Sequence, residues 1–236
     1  MALKEMVPGS VALLSPCANT VEPRAYQFAL NLVSGAWKAG IPVNMIGVTE
    51  RTLIHSARNI LAEGFLQTDC EWAFWLDSDM VLPSNTIPVM LRWAQKIRAE
   101  FLTGVYYQRV GEHRPLVLIR DTKRDKWGGF NVCPPAGSNT PFRVDYCGFG
   151  AVLMHRNVLA KLKAPYFKYE FINGKDFSED FYFCEQARKA KIPLWAVPEL
   201  ECLHIGQAPL IGRGAFKGET QKVRLQTYED RKDGKA

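Results

Sequence analysis

Apolar residues in the first half of the chain alternate between short continuous runs and helical spacing. Three short runs predict buried strands, at 10–14, 43–48 and 72–76. Between them, apolar side chains recur every three or four residues over 25–36, up to Gly40, and again over 53–65, which predicts two helices. The resulting β-α-β-α-β order is typical of a mainly parallel sheet with helices on its faces, connected by right-handed crossovers.

The second half of the chain shows the same periods less regularly. Ser84 is a suitable N-cap for a helix that runs to Ile97, and 101–107 follows as a strand. From 108 to 141 the sequence is rich in charged residues, Gly and Pro, which predicts irregular structure and at least one mobile loop. This loop could close over a ligand, with Trp127 as its aromatic anchor, or be an ordinary surface loop. The later predicted elements are a strand at 152–154, a helix that begins near Ser178, and short strands at 194–197 and 200–203.

The length and composition of the chain fit one globular α/β domain. Its 236 residues are enough for a substantial core, since 47% of them are apolar and 23% are charged. No apolar run is long enough to span a bilayer, and Pro16 ends the first apolar run before it could serve as the core of a signal peptide. We therefore expect a cytoplasmic protein without a membrane span, with a domain at 1–206 and a basic tail at 207–236.

Cysteine spacing and net charge narrow the chemistry only slightly. The six cysteines form no C-x-x-C pair, so free thiols are expected, and Cys202-x-His204 lacks the further ligands of a structural zinc site. The formal net charge of +6 suits an acidic partner, such as a nucleotide diphosphate or a nucleic acid.

Two carboxylates one residue apart, in Asp77-Ser78-Asp79, follow the apolar run at 72–76 directly. Carboxylates at positions i and i+2 can bind one hard cation, and open α/β sheets bind ligands at the carboxyl ends of their strands. The pattern therefore predicts a metal-binding edge. The same two residues could instead cap a turn or the next helix.

Three features further along the chain favour the metal interpretation. Glu179 and Asp180 open a helix behind the predicted N-cap Ser178; a carboxylate fixed there can take a proton from a hydroxyl, although acidic residues also suit the positive end of a helix dipole. The imidazole of His204 could complete a coordination shell and would favour manganese over magnesium, or it could be a structural histidine. Gly148-Phe149-Gly150 could let a substrate approach the backbone, or form an ordinary tight turn.

Together these residues resemble the metal-dependent glycosyltransferases of the GT-A fold, in particular the inverting family 2-like group with small bacterial and phage-encoded members. The resemblance covers about residues 10–206 and implies a single-domain α/β fold of the nucleotide-diphospho-sugar transferase type. It rests on motifs in the order and approximate spacing that the family shows: Ser56-Ala57-Arg58-Asn59, Leu76-Asp77-Ser78-Asp79, Gly148-Phe149-Gly150, Ser178-Glu179-Asp180 and His204-Ile205-Gly206.

The resemblance also implies a nucleotide-sugar donor, commonly linked to UDP, and an Mn²⁺ or Mg²⁺ cofactor. Asp79 would hold the cation together with Asp77 and His204. Asp180 would be the base for the acceptor hydroxyl and Glu179 its neighbour, so that transfer inverts the anomeric configuration; the sequence leaves open which of the two acids points into the site. The acceptor could be a carbohydrate, a protein or a modified DNA base. The implied donor-binding residues are Pro16, Arg58, Asn59, Asp77, Ser78, Gly148 and Gly150.

Two other functions fit parts of the sequence. Asp77-x-Asp79 after an apolar strand also matches the nucleophile motif of aspartate-dependent phosphatases, in which Asp77 would be phosphorylated. That motif normally lies on the first strand of its domain, whereas two strand-helix units precede it here. Charges in 109–126 and 213–235 could mark a basic nucleic-acid-binding protein, but both segments also contain acidic residues and show no recognised reading motif.

Overall fold

The computed structural model describes residues 7–17, 21–46, 53–121, 129–132, 134, 138–172, 175–206, 212, 227, 228 and 230. Its helices are α1 (Pro23–Lys38), α2 (Ile54–Leu66), α3 (Thr86–Ile97), α4 (Arg156–Ala160) and α5 (Glu179–Lys189). Its strands are β1 (Val7–Leu14), β2 (Val43–Ile46), β3 (Cys70–Leu76), β4 (Met80–Val81), β5 (Phe101–Val105), β6 (Val117–Arg120), β7 (Gly129–Asn131), β8 (Phe142–Val144), β9 (Tyr146–Cys147), β10 (Ala151–His155), β11 (Glu170–Ile172), β12 (Lys175–Phe177), β13 (Leu194–Glu201) and β14 (Leu203–His204).

Seven of these strands form a central sheet in the order β2-β1-β3-β10-β5-β13-β8. β1 pairs in parallel with β2 and β3, and β5 pairs in parallel with β13. β10 lies antiparallel between β3 and β5, and β8 lies antiparallel to β13. β2, β1, β3, β5 and β13 therefore run in one direction, and their C-termini lie along one side of the sheet, which we call the carboxyl edge.

Helices cover both faces of the sheet because successive strand side chains point in opposite directions. On β3, Phe74 belongs to the core layer that contains α1 and α3, whereas Trp75 belongs to the layer that contains α2 and α5. Both side chains are completely buried, as is usual for a central strand that is covered on two sides. Burial of each such aromatic side chain stabilises the fold by roughly 1.5–3 kcal/mol.

The predicted α/β architecture, with a mostly parallel central sheet flanked by helices, is confirmed. The strands predicted at 10–14 and 72–76 correspond to β1 and β3, and the first two predicted helices correspond to α1 and α2. The helix predicted from Ser178 is α5, since the Ser178 hydroxyl accepts a hydrogen bond from the N–H of Phe181. The contrast between strand and helix periods was therefore sufficient to identify the main elements.

The start of α3 differs from the prediction. Asn85, rather than Ser84, is the N-cap, and it makes no capping hydrogen bond through its side chain. The N–H and the hydroxyl of Thr86 both donate to the carbonyl of Pro83, at 3.0 and 2.7 Å. This turn takes the place of a serine cap and moves the start of the helix by one residue.

The segment 108–141 is not irregular throughout, in contrast to the prediction. β6 pairs antiparallel with β7 and with β9, and these short strands form a small second sheet. Val117 and Val132 are buried in it. Strands of three or four residues are too short to show a clear period in the sequence. Trp127 and the rest of 122–128 lie outside the described residues, so closure of this segment over a ligand remains a prediction.

The end of the chain differs in detail as well. The two short strands predicted at 194–197 and 200–203 are a single strand, β13, followed by β14, because β13 stays paired with β5 across a register shift between Val197 and Glu201. Thr227, in the predicted tail, forms a bridge with Phe142 of β8. The N–H of Tyr228 donates to the carbonyl of Pro141 at 3.0 Å. Part of the segment after 206 therefore packs on the domain.

The five described cysteines are all buried free thiols. Cys133 lies outside the described residues. Within the same described ranges, the helices are too short or too polar to traverse a bilayer.

Candidate functional site

Residues from four strand ends come together at the carboxyl edge. Pro16 follows β1, Asp77 follows β3, Tyr106 follows β5, and His204 lies in β14 just after β13. Gly150 precedes the antiparallel strand β10 and therefore lies at the same edge; its carbonyl accepts the N–H of Asp77 at 3.4 Å. The parallel arrangement of the strands thus gathers residues that are far apart in the sequence.

A surface cleft of about 280 Å³ opens at this edge. Pro16, Asp77, Ser78 and Asp79 line the cleft, as the sequence resemblance implied for donor and metal binding. Cys17, Ile54, Ala57 and Arg109 complete the lining. Apolar side chains, the carboxylates of Asp77 and Asp79, and the guanidinium of Arg109 therefore share the lining of the cleft.

Behind the cleft, Arg58 forms the centre of an acidic cluster. Its side chain is only 2% exposed, and its Nη2 lies 3.1 Å from Asp77 Oδ1. Its Nε lies 3.4 Å from both Glu179 Oε1 and Asp180 Oδ1. The ring of Phe149 lies against the guanidinium, 5.4 Å from Cζ to the ring centroid. The guanidinium thus contacts carboxylates, and one buried cation joins the strand that carries Asp77 to the start of α5.

The charge balance of this cluster is unusual. Burial disfavours the charged form of Arg58, but the carboxylates of Asp77, Asp180 and Glu179 outweigh this effect and raise the pKa of Arg58 above its usual value. One guanidinium faces three acids, so the cluster has an excess of negative charge when all the acids are ionised. This excess falls most heavily on the acid that is least well paired.

Asp180 is the acid whose pKa responds to that excess. Burial raises the pKa of Asp180 well above its usual value, Arg58 lowers it, and the neighbouring charges of Glu179 and Asp77 raise it again. The Asp180 side chain is 19% exposed, compared with 8% for Glu179. Of the two acids that the sequence could not distinguish, Asp180 is therefore the more accessible, and its pKa is raised.

Asp79, which lines the cleft, forms a second group with His204. Nε2 of His204 lies 3.3 Å from Asp79 Oδ2, and Nδ1 lies 2.8 Å from the carbonyl of Tyr107. Antiparallel pairing of β14 with β4 places His204 opposite Met80, which follows Asp79 directly. A ring that donates from Nδ1 to the carbonyl presents Nε2 to Asp79, and this is how proteins orient imidazole ligands of metals.

The donor set of Asp79 and His204 fits a divalent cation, with an oriented imidazole next to a carboxylate. Burial opposes ionisation of Asp79, but the hydrogen bond and charge of His204 and the charge of Arg109 outweigh it and lower the pKa of Asp79. The third implied ligand, Asp77, also lines the cleft and is paired with Arg58. Across the part of the chain that the structure describes, no three His, Cys, Asp or Glu side chains are grouped as a metal site. A cation here would therefore draw its remaining ligands from the bound substrate or from water.

The side-chain amide of Asn59 forms hydrogen bonds with backbone groups. Its Nδ2 donates to the carbonyls of His55 and Phe167, at 2.8 and 2.7 Å. Its Oδ1 accepts the N–H groups of Tyr166 and Phe167, at 2.8 and 3.1 Å. These bonds use both donors and both acceptor positions of the amide. Asn59 therefore fixes the position of Phe167, whose ring centroid lies 5.9 Å from Cζ of Arg58.

Tyr106 is a site residue that the sequence reasoning missed. Its buried hydroxyl accepts the N–H of Gly150 at 2.8 Å, and its ring packs edge-on against His204, with centroids 5.6 Å apart. A Cβ on Gly148 would overlap this hydroxyl and lie 3.7 Å from Asp180 Oδ2. A Cβ on Gly150 would lie 2.9 Å from Tyr106 Cζ. The two glycines therefore make room for Tyr106 between the two groups of the site. Its place near the end of the strand predicted at 101–107 was the available signal.

Arg109 is the second residue that was missed. Its Nη1 donates to Asp79 Oδ2 at 2.7 Å, and its side chain is 55% exposed. It lies in the segment that the sequence marked only as charged and rich in Gly and Pro. Composition could not single out one arginine among its neighbours.

Comparison with known proteins yields a fold and no family. No protein-family model matches the chain, and no curated protein sequence matches it. The solved structure of A197 from STIV is 19% identical, with an alignment that covers 91% of this chain and 97% of that one and a TM-score of 0.53. That likeness shows a shared fold and nothing about activity.

A second solved structure is that of GalNAc-T7 with UDP, GalNAc and Mn²⁺. It is 11% identical, the alignment covers 83% of this chain and 43% of that one, and the TM-score is 0.47. The chain thus spans less than half the length of that protein. The functional conclusion must therefore come from the site itself.

Proposed function

We propose that the protein is a glycosyltransferase of the GT-A type, which moves a sugar from a nucleotide-diphosphate donor to an acceptor hydroxyl. The observation that carries the proposal is the placement of two groups at the carboxyl edge, one at the cleft and one behind it. Asp79 and His204 form a carboxylate-imidazole pair suited to a divalent cation, and Asp180 is a partly exposed acid of raised pKa in the cluster behind the cleft. Sugar transfer needs both groups, one for the leaving diphosphate and one for the incoming hydroxyl.

The donor side of the proposed reaction uses the cleft. Asp79 and His204 would hold Mn²⁺ or Mg²⁺, and the cation would stabilise the negative charge that develops on the departing diphosphate, an effect worth several kcal/mol. Pro16 and Ser78 line the part of the cleft that would receive the nucleoside, for which we propose uridine. Asp77 reaches the cleft on one side and Arg58 on the other, so that it links the donor site to the acid cluster.

The acceptor side uses Asp180. Arg58 and the N-terminus of α5 hold its carboxylate in place, and Tyr106 packs beside it. Proton removal from the acceptor hydroxyl by such a base contributes roughly 10²–10⁴-fold to the rate. Attack from the side opposite the diphosphate inverts the anomeric centre, so NMR of the product should show the configuration opposite to that of the donor sugar. Retention of configuration would remove Asp180 from this role.

The two alternative functions receive no support. Asp77 would be the nucleophile of a phosphatase, but its carboxylate is held by buried Arg58, 3.1 Å away. Of the segments 109–126 and 213–235, whose charges suggested nucleic-acid binding, residues 122–126, 213–226, 229 and 231–235 lie outside the described residues. Nucleic acid therefore enters the proposal only as one possible acceptor, beside carbohydrates and proteins.

A thermal-shift screen of nucleotide sugars with Mn²⁺ tests the proposal. A donor present at 100 times its dissociation constant should raise the melting temperature by about 5–10 °C, and Asp79→Asn should lose most of this shift. Asp69→Asn is the matched control. Asp69 lies at the opposite end of β3 and is also partly exposed, so this variant should keep the full shift.

Comparison of the two variants distinguishes loss of a donor site at Asp79 from a general effect of removing one negative charge on the melting temperature. Equal loss of the shift in Asp69→Asn and Asp79→Asn would contradict the assigned cleft. Absence of a shift with every nucleotide sugar, in the presence of Mn²⁺ or Mg²⁺, would contradict the proposed function.

A further inference from the structure

Arg109 places a positive charge next to Asp79, at the position of the proposed metal site. Its Nη1 lies 2.7 Å from Asp79 Oδ2, the same oxygen that lies 3.3 Å from Nε2 of His204. One carboxylate oxygen is thus shared by a guanidinium and an imidazole. A cation bound between Asp79 and His204 would compete with the guanidinium for this oxygen.

The loop that carries Arg109 leaves its side chain free to move. The N–H of Gln108 donates to the carbonyl of Arg114 at 2.9 Å, and Tyr107 bridges to Pro115, so the base of the loop is fixed. Residues 109–112 between these pairs are exposed. The backbone is therefore anchored, whereas the long arginine side chain can change rotamer without unfolding anything.

The pair between Arg109 and Asp79 is also easily exchanged. The Arg109 side chain is 55% exposed and the Asp79 side chain 24%. Solvent screens such pairs, which contribute little to stability. The Arg58 pairs behind the cleft are different, since that side chain is 2% exposed. Arg58 is thus a fixed part of the site, and Arg109 is an exchangeable one.

We infer that Arg109 substitutes for the divalent cation at Asp79 and transfers to the diphosphate of the donor when the cation binds. The inference rests on the proposed function and adds a residue to it. Among the described residues that line the cleft, Arg109 is the one with a cationic side chain. A guanidinium matches the oxygens of a phosphate through two parallel hydrogen bonds, so a diphosphate next to Asp79 would be its natural partner once Asp79 is occupied.

Arg109→Gln should change the binding affinities for two ligands in opposite directions. Mn²⁺ alone should bind more tightly, by about two- to fivefold, because a competing cation is removed from Asp79. UDP in the presence of saturating Mn²⁺ should bind more weakly, by about tenfold or more, because a charge-assisted contact with the diphosphate is lost. Titration calorimetry measures both affinities without any turnover.

Arg114→Gln is the matched control. Arg114 lies in the same loop, is 54% exposed and pairs with Glu112, so the variant makes the same change in net charge away from the cleft. Both of its affinities should equal those of the wild type. A gain in Mn²⁺ affinity of the same size in both variants would reduce the effect to net charge and overturn the inference.

The remaining outcomes distinguish this inference from the proposed function. If the wild type binds Mn²⁺ and UDP, but Arg109→Gln binds both as the wild type does, the inference is wrong and the proposed function is unaffected. If Arg109→Gln weakens Mn²⁺ binding, Arg109 supports the site structurally and does not compete with the cation. If the wild type takes up neither ligand, both the proposed function and the inference fail.

Discussion

Nε2 of His204 lies 3.3 Å from the carboxylate of Asp79, although the two residues are 125 positions apart in the sequence. Pairing of β14 with β4 produces this contact, and the carbonyl of Tyr107 fixes the ring from its other side. The contact joins a residue after β3 to a residue after β13. It is the simplest structural basis for a cation site at the carboxyl edge.

His204→Ala should weaken Mn²⁺ binding by about tenfold or more, because the variant removes an oriented ligand and leaves Asp79 without its imidazole partner. Calorimetric titration of Mn²⁺ measures the effect. His155→Ala is the control, since His155 pairs with Glu71 at the opposite end of the sheet and should bind Mn²⁺ as the wild type does. Unchanged affinity in His204→Ala would exclude this histidine from the cation site.

Arg58→Met should destabilise the fold by about 3–5 kcal/mol, because three acids would lose the buried cation that pairs with them. Denaturant unfolding measures the free energy. Arg92→Met, which breaks an exposed pair with Glu199, should cost only about 0–1 kcal/mol. Similar costs for the two variants would show that the acid cluster does not depend on Arg58.

Asp180→Asn should stabilise the protein at neutral pH while it removes the proposed base. The pKa of Asp180 is raised in the folded state, so the folded protein binds the proton more tightly than the unfolded chain does. Wild-type stability should therefore fall as the pH rises above about 4, by up to about 1.4 kcal/mol per pH unit, until the folded pKa is passed.

Melting temperatures of the wild type and Asp180→Asn at pH 4 to 8 test this sign. The two should be similar near pH 4, and the variant should melt at a higher temperature at pH 8. A variant that is less stable than the wild type at pH 8 would show that pairing with Arg58 dominates and that the carboxylate is the preferred form.

Gly148→Ala should disturb the site through Tyr106, because the new Cβ would overlap the tyrosine hydroxyl. Tyr106→Phe removes that hydroxyl and leaves the buried N–H of Gly150 unpaired, at a cost of about 1–3 kcal/mol. Unfolding of both single variants and the double variant should reveal coupling, with a smaller cost of Gly148→Ala beside phenylalanine. If the changes in unfolding free energy of the two single variants are strictly additive in the double variant, the new alanine does not act through the Tyr106 hydroxyl.

The elements that sequence alone predicted are those with long, regular periods. β1, β3, α1 and α2 bury one stripe or both faces, and this burial fixes their apolar pattern. The hairpin of β11 and β12 has three residues in each strand, with Phe171 exposed, so no pattern marked it in advance. The formation of such short strands depends on the tertiary contacts with a neighbouring strand or turn, which the local sequence does not show.

The site could be predicted in part because the ends of parallel strands meet at one edge. That rule predicted Asp77 and Asp79 at the ligand-binding edge, and the resemblance added His204 to them. It could not reveal that Arg58 is buried among three acids, since the charge of a side chain in the sequence does not show its burial. The sequence did not reveal Tyr106 either, because the role of this residue depends on the space that Gly148 and Gly150 leave for its side chain.

Titration calorimetry of Mn²⁺ together with a panel of UDP- and GDP-sugars tests the central claim most directly. The account predicts saturable binding of at least one sugar nucleotide that requires the cation and is lost in Asp79→Asn. Uptake of neither Mn²⁺ nor Mg²⁺ in the presence of any of these sugar nucleotides would contradict it.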